Sequence, residues 1–296
     1  MALHERILLA TDLNARSDRA LDRAVMIAKR EDASLVVLHV VEPIPGNPLH
    51  EQRQLATTHA AIVRAQLEQD LGECAKRTTV RIEMGDPAEV IDRVAKDEQS
   101  TLLVVGVSRV ERFGRFVLGQ TVERLVRGVE VPLLIVTDRP RRPYERVGVA
   151  ADFSPVSRQS LELALHLFPD QRITVFHASQ PLATYGASDP AAYREQFRAV
   201  SRSEFDSWLA KTDLGAEARE RVDVRIETGD PARALREAVE QGAFDLVVIG
   251  TKGRGRIFEF LLGSVAKDLL AQLPCDALFV RESQLPGAMA TTTAAT

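Results

Sequence analysis

At 296 residues, with 45% hydrophobic and 27% charged side chains, the chain has the composition of a globular protein long enough for two domains. A net charge of -4 gives no footing for a polyanion-binding surface, and no apolar run approaches the roughly 18 residues that a membrane span needs. Two cysteines, Cys74 and Cys275, lack any C-x2-C spacing and fit a reducing compartment; the expectation is a soluble cytoplasmic protein with neither nucleic acid nor membrane as partner.

Residues 6–11 (Arg-Ile-Leu-Leu-Ala-Thr) predict a buried first strand closed by Asp12, and Ser17 is placed to cap a helix running to Arg30. A second strand over 34–41 leads into a Pro/Gly loop and a long helix over 51–76. A third strand covers 79–83, and Gly85-Asp86-Pro87 turns into a helix with proline at its first position. The fourth strand, 101–105, stops at Gly106; a basic loop, a helix over about 120–127 and a last strand over 132–136 follow.

After the Arg/Pro linker 138–143 the order begins again. Residues 146–151 and Asp152 repeat the first strand and its aspartate, 156–167 the first helix, and 173–178 the second strand, with His177 answering His39. Gly85 to Gly229, Gly106 to Gly250 and Gly119 to Gly263 are each 144 residues apart, so the register of the repeat holds. The expected domains are 1–140 and 141–283. An Ala/Thr-rich tail, 284–296, has almost no large apolar side chains and reads as disordered.

Strands alternating with helices imply a mostly parallel sheet covered on both faces. In such open sheets ligands bind beyond the carboxyl ends of the strands. Asp152, Ala178 and Gly250 fall at strand ends and therefore on one rim. Residues 245–266 add glycines after a strand, basic residues, and Gly263-Ser264 at a helix start, the ingredients of a phosphate cradle.

The spacing Gly250-x2-Gly253-x9-Gly263-Ser264, with the strand-terminal aspartate, the Gly-Asp-Pro turn and the duplication, resembles the universal stress protein family over about residues 4–282. The resemblance implies two tandem open α/β units. Each would be a five-stranded parallel sheet of order 3-2-1-4-5, Rossmann-like and similar to adenine nucleotide alpha hydrolases. It also implies ATP, with or without Mg²⁺, across the strand ends of the second unit. Ala150, Ala151 and Asp152 would meet the adenosine and Ala178 the adenine. Gly250, Lys252 and Gly253 would line the ribose–phosphate path, and Gly263, Ser264 and Val265 would hold the phosphates. The fifth strands, 132–136 and 277–280, would pair antiparallel into an internal pseudo-dimer, leaving a further homodimer open. In the first unit Arg109 and Gln120 replace the second glycine and the serine, so its motif is degenerate.

No G-x-S-x-G elbow, H-E-x-x-H pair, Walker lysine or G-x-G-x-x-G fingerprint is present. The expected function is therefore a nucleotide-binding stress or signalling protein without a catalytic residue or a metal-ligating set. A slow ATPase and a partner-binding scaffold of the same fold are the alternatives. His39 and His177, without acidic or cysteine partners at ligand spacing, read as structural, and Trp208 as core.

Overall fold

The computed structural model describes residues 6–14, 17–43, 76–107, 119–179, 190–251 and 274–281, with 60–62, 64, 65, 69, 71, 111, 112, 115 and 116. The chain divides into two compact units, Met1–Pro143 and Tyr144–Thr296.

In the first unit the elements are β1 (Arg6–Thr11), α1 (Asp18–Glu31), β2 (Ser34–Val41), β3 (Thr78–Met84), α2 (Pro87–Asp97), β4 (Leu102–Gly106), a two-residue ladder of β5 (Glu111–Arg112) and β6 (Arg115–Phe116), α3 (Gln120–Gly128) and β7 (Leu133–Val136). The main strands lie in the order β3-β2-β1-β4-β7, every neighbouring pair parallel. In the second unit they are β8 (Val147–Ala150), α4 (Pro155–Leu167), β9 (Ile173–Ser179), α5 (Pro190–Ala210), α6 (Ala216–Glu220), β10 (Val222–Thr228), α7 (Pro231–Glu240), β11 (Leu246–Thr251) and β12 (Asp276–Arg281). Here the order is β10-β9-β8-β11-β12, again parallel throughout. Both units thus have the expected order 3-2-1-4-5. The predicted helix over 51–76, the tail and residues 252–273, with the expected basic loop and helix start, lie mostly or wholly outside the described residues.

The central strands read as continuous apolar runs because both their faces are covered. Ile7, Leu8 and Leu9 are fully buried, as are Leu246, Val247 and Val248. Each such side chain contributes about 1.5–3 kcal/mol of burial. The Gly-Asp-Pro turns recur with the same mechanics. Gly85 and Gly229 have φ of 147° and 139°, which a side chain would disfavour. Asp86 and Asp230 then accept the amides of Glu89 and Arg233 at 3.1 and 2.9 Å, capping helices that begin with proline.

Two helices, α5 and the short α6, escaped the sequence reading. The apolar stripe of α5 runs through Phe197, Ser201, Phe205 and Trp208, and the serine, 1% exposed, interrupts it. A hydroxyl at a core position hid a 3.6-residue period that the aromatic residues alone would have shown.

Candidate functional site

In both units the central strand ends next to the strand that follows it in sequence and the strand that lies on its other side. That reversal opens a crevice at the carboxyl ends. In the first unit β1 ends at Thr11, whose Oγ1 accepts the amide of Leu13 at 3.0 Å. Asp12 accepts the Asn14 amide (3.1 Å), the Asn14 side-chain amide (2.9 Å) and the Ser17 hydroxyl (2.6 Å). Ser17 therefore does not cap α1 with its side chain, as its position suggested; the hydroxyl is turned back to the aspartate. Burial pushes the Asp12 carboxyl up, but the bonds from Ser17 and Asn14 outweigh it and hold the group below its ordinary value.

His39, in register with Thr11, places Nδ1 3.0 Å from the Thr11 carbonyl oxygen. A carbonyl can only accept, so Nδ1 carries the proton and the ring pins the end of β1. The second unit repeats the device: His177 Nδ1 lies 2.9 Å from the Ala151 oxygen. Both histidines are structural, as expected from their surroundings in sequence.

The first rim holds a half-open cavity of about 510 Å³, within the range of small-molecule sites. Its described walls come from the ends of β1, β2 and β4 (Ala10, Val40, Val105) and the starts of α2 and α3 (Pro87, Thr121). Asp12 and Glu42 are its charged residues among those described. Sequence reasoning missed this cavity, because it weighed the altered glycine motif and not the strand ends.

At the second rim the strand-terminal aspartate sits beside an aromatic cluster. Asp152 accepts the Ser154 amide at 3.0 Å. Burial raises its carboxyl, but the Ser154 and Ser157 bonds bring it below the ordinary value. Phe153, with φ of 60°, stacks on His177 at 4.2 Å between ring centroids. Trp208 lies 5.6 Å from the Phe153 ring and donates its indole N–H to the Ser154 oxygen at 3.2 Å. Beside this aromatic cluster runs a groove of about 530 Å³ whose charged walls are Asp152, Glu204, Arg158 and Lys211. The aromatic cluster was also missed, although Phe153 directly follows Asp152 and Trp208 is the one tryptophan of the chain.

Of the residues expected at a nucleotide site, the structure brings Ala150, Ala151, Asp152, Ala178 and Gly250 to this rim. Ala150 lies in register between Phe176 and Ile249, and Ala178 is buried one place beyond His177. Gly250 has a different reason for being glycine than the expected close approach of phosphate. A Cβ there would stand 2.8 Å from Val156 Cγ1, 2.9 Å from Ser160 Oγ and 3.3 Å from the Val156 carbonyl carbon. The missing side chain lets α4 pack onto β11. Lys252, Gly253, Gly263, Ser264 and Val265 lie outside the described residues, as do Arg109 and Cys74. Cys275 is buried, its thiol donating to the Asp276 carbonyl oxygen at 3.4 Å.

Among the described residues no group of three or more His, Cys, Asp or Glu side chains is arranged to hold a metal. No described helix is long and apolar enough to cross a membrane.

A profile of the universal stress protein family matches residues 4–137 and again 143–281. A universal stress protein of Mycolicibacterium smegmatis is 25% identical over 303 residues, covering 93% of this chain and 96% of its own length. A putative universal stress protein of Staphylococcus epidermidis is 27% identical over 142 residues, 46% of this chain and 86% of the relative. Among solved structures, a universal stress protein from Archaeoglobus fulgidus is similar with a TM-score of 0.71 at 20% identity, covering 94% of this chain and 98% of that one. With two family domains matched end to end and the same strand order in each, the chain belongs to the universal stress protein family as a tandem member.

Proposed function

We propose that the chain binds an adenine nucleotide, ATP in the first instance, at the rim of its second unit, and that occupancy sets which partner it engages in a stress response. The observation that supports this reading is the conjunction of an unbroken Gly250-x2-Gly253-x9-Gly263-Ser264 spacing with a strand-end rim already carrying Ala150, Ala151, Asp152 and Ala178. On this reading Asp152 accepts hydrogen bonds from the sugar or base, and the buried Ala178 leaves room for a flat ring against β9. The amides of Gly263, Ser264 and Val265, at a predicted helix start, hold phosphate oxygens, and Lys252 adds a point charge. Any Mg²⁺ travels on the phosphates, since no described acidic cluster offers it a protein site.

The test is calorimetry with ATP and Mg²⁺ on the full chain and on Gly263→Val. The expected outcome is one ATP per chain, weakened about tenfold to a hundredfold by the substitution, the scale of one or two charge-assisted hydrogen bonds. Absence of binding to the unmodified chain sinks the proposal. Mass spectrometry of small molecules released from the denatured protein gives an independent count of bound nucleotide.

A further inference from the structure

The first rim holds a half-open cavity of about 510 Å³. The cavity walls are mostly apolar, with Leu38, Val40, Ile91, Val105, Val122 and Leu125 around a floor at Ala10. Against these walls stand two carboxylates, Asp12 and Glu42, and no lysine or arginine among the described lining residues.

The nearby described cations are committed elsewhere. Arg124 on α3 donates to Asp86 at 2.6 Å and lies 3.5 Å from Glu89. Arg19 on α1 donates to the Thr137 carbonyl oxygen at 2.8 Å. Asp12 has bonds from Asn14 and Ser17, yet its Oδ2 accepts just one of them, from the Asn14 side chain. Glu42 is exposed at the mouth, with no hydrogen bond or ion pair to a described residue. Gln120, at the start of α3, stands where the second unit has Ser264.

We infer that the first unit's cavity is a second binding site, for a small organic cation: a protonated amine on an apolar body, its ammonium held between Asp12 and Glu42 and its body among the valines and leucines. An ammonium at the mouth gains from opposite charge and acceptors beside it, and an apolar body gains from leaving water. The chain would then read two ligands of opposite character, one per unit. The inference does not depend on nucleotide binding in the second unit.

The experiment uses the full chain carrying Gly263→Val, so that the second unit's motif is disabled. Six probes are titrated by ligand-observed NMR and calorimetry: benzylamine, phenethylamine and tryptamine, each against the alcohol of the same shape. At least one amine should bind about tenfold more tightly than its alcohol. Glu42→Gln, at an exposed position that leaves the core intact, should remove most of that difference. Thr121→Trp, which fills the cavity from its wall, should abolish binding of amine and alcohol alike while the circular dichroism spectrum is kept.

Binding of none of the six probes overturns the inference. So does equal binding of amine and alcohol, or binding that survives Thr121→Trp. Displacement of the amine by ATP in the Gly263→Val chain overturns it too, and that arm also reads any contribution from Arg109. Loss of ATP binding by the unmodified chain would count against the nucleotide site alone.

Discussion

Asp12 and Asp152 each follow the central strand of their sheet, each accepts the amide two residues on, and each precedes a residue with φ of 60°, Leu13 in one unit and Phe153 in the other. Bulky side chains rarely hold that conformation, and the strain of about 1–3 kcal/mol persists because the aspartate over-determines the turn. His39 and His177 pin the same strand ends by the same bond. From this shared frame the two rims diverge through the side chains beside them. Leu13 leaves its crevice open, with carboxylates and apolar walls. Phe153 turns onto His177 and meets Trp208, and the space beside it is walled by both signs of charge. Duplication kept the backbone device, while the residue after the aspartate differs, leucine in one unit and phenylalanine in the other.

The largest effect separating the rims should come from Trp208→Ala. The side chain is 4% exposed, packs on Phe153 and Phe205, and supports the Ser154 carbonyl. Its loss should cost about 3–5 kcal/mol, confined to the second unit. Hydrogen exchange would show β8 and β9 losing protection while β1 and β2 keep theirs. Equal loosening of both units would break the claim that the aromatic cluster belongs to one rim.

Next in size is Gly250→Ala. The added Cβ would lie 2.8–2.9 Å from Val156 and Ser160 side chains, with the Val156 backbone at 3.3 Å, so α4 must shift. Overpacking of this kind costs about 1–3 kcal/mol. Urea unfolding followed by circular dichroism should record that loss even with no nucleotide present. A variant as stable as the parent would return Gly250 to the role the motif suggested, approach of a ligand.

How much of this was legible in sequence follows from the same residues. Strands β1, β4, β8 and β11 were visible because strands covered on both faces are unbroken apolar runs. The Gly-Asp-Pro turns were visible because positive φ, an acceptor at the cap and proline at the first helical position each leave a residue signature. The repeat made strand order and the two aspartates readable together. What stayed hidden depends on direction and volume. The role of Gly250 lies in what faces its missing Cβ, and the Ser17 hydroxyl could turn forward to its helix or back to Asp12. The cavity of the first rim is a property of spaces between side chains far apart in sequence, such as Ala10 and Val105, that no local pattern records.

The smallest difference is also the finest probe of the two turns. Ser17 donates to Asp12 and leaves α1 without a side-chain cap, whereas Ser154 accepts the Ser157 amide at 3.3 Å and caps α4. Asp12 is held below its unfolded value of 3.8, so its contribution to stability is full above that value. The contribution is lost as pH falls through the lower folded value. Removing the Ser17 hydroxyl lets the folded value rise toward the unfolded one. Ser17→Ala should therefore cost under about 1 kcal/mol at neutral pH, screened because Asp12 is well exposed. It should cost nothing once pH lies below both values, where parent and variant unfold at the same urea concentration. Ser154→Ala removes a helix cap worth about 1 kcal/mol, which does not titrate, as well as a bond to Asp152. Its deficit should shrink in acid and persist. Urea midpoints for both variants, at neutral pH and below the carboxylate range, check this; a Ser17→Ala deficit that survived acid would mean that its hydroxyl serves the helix after all.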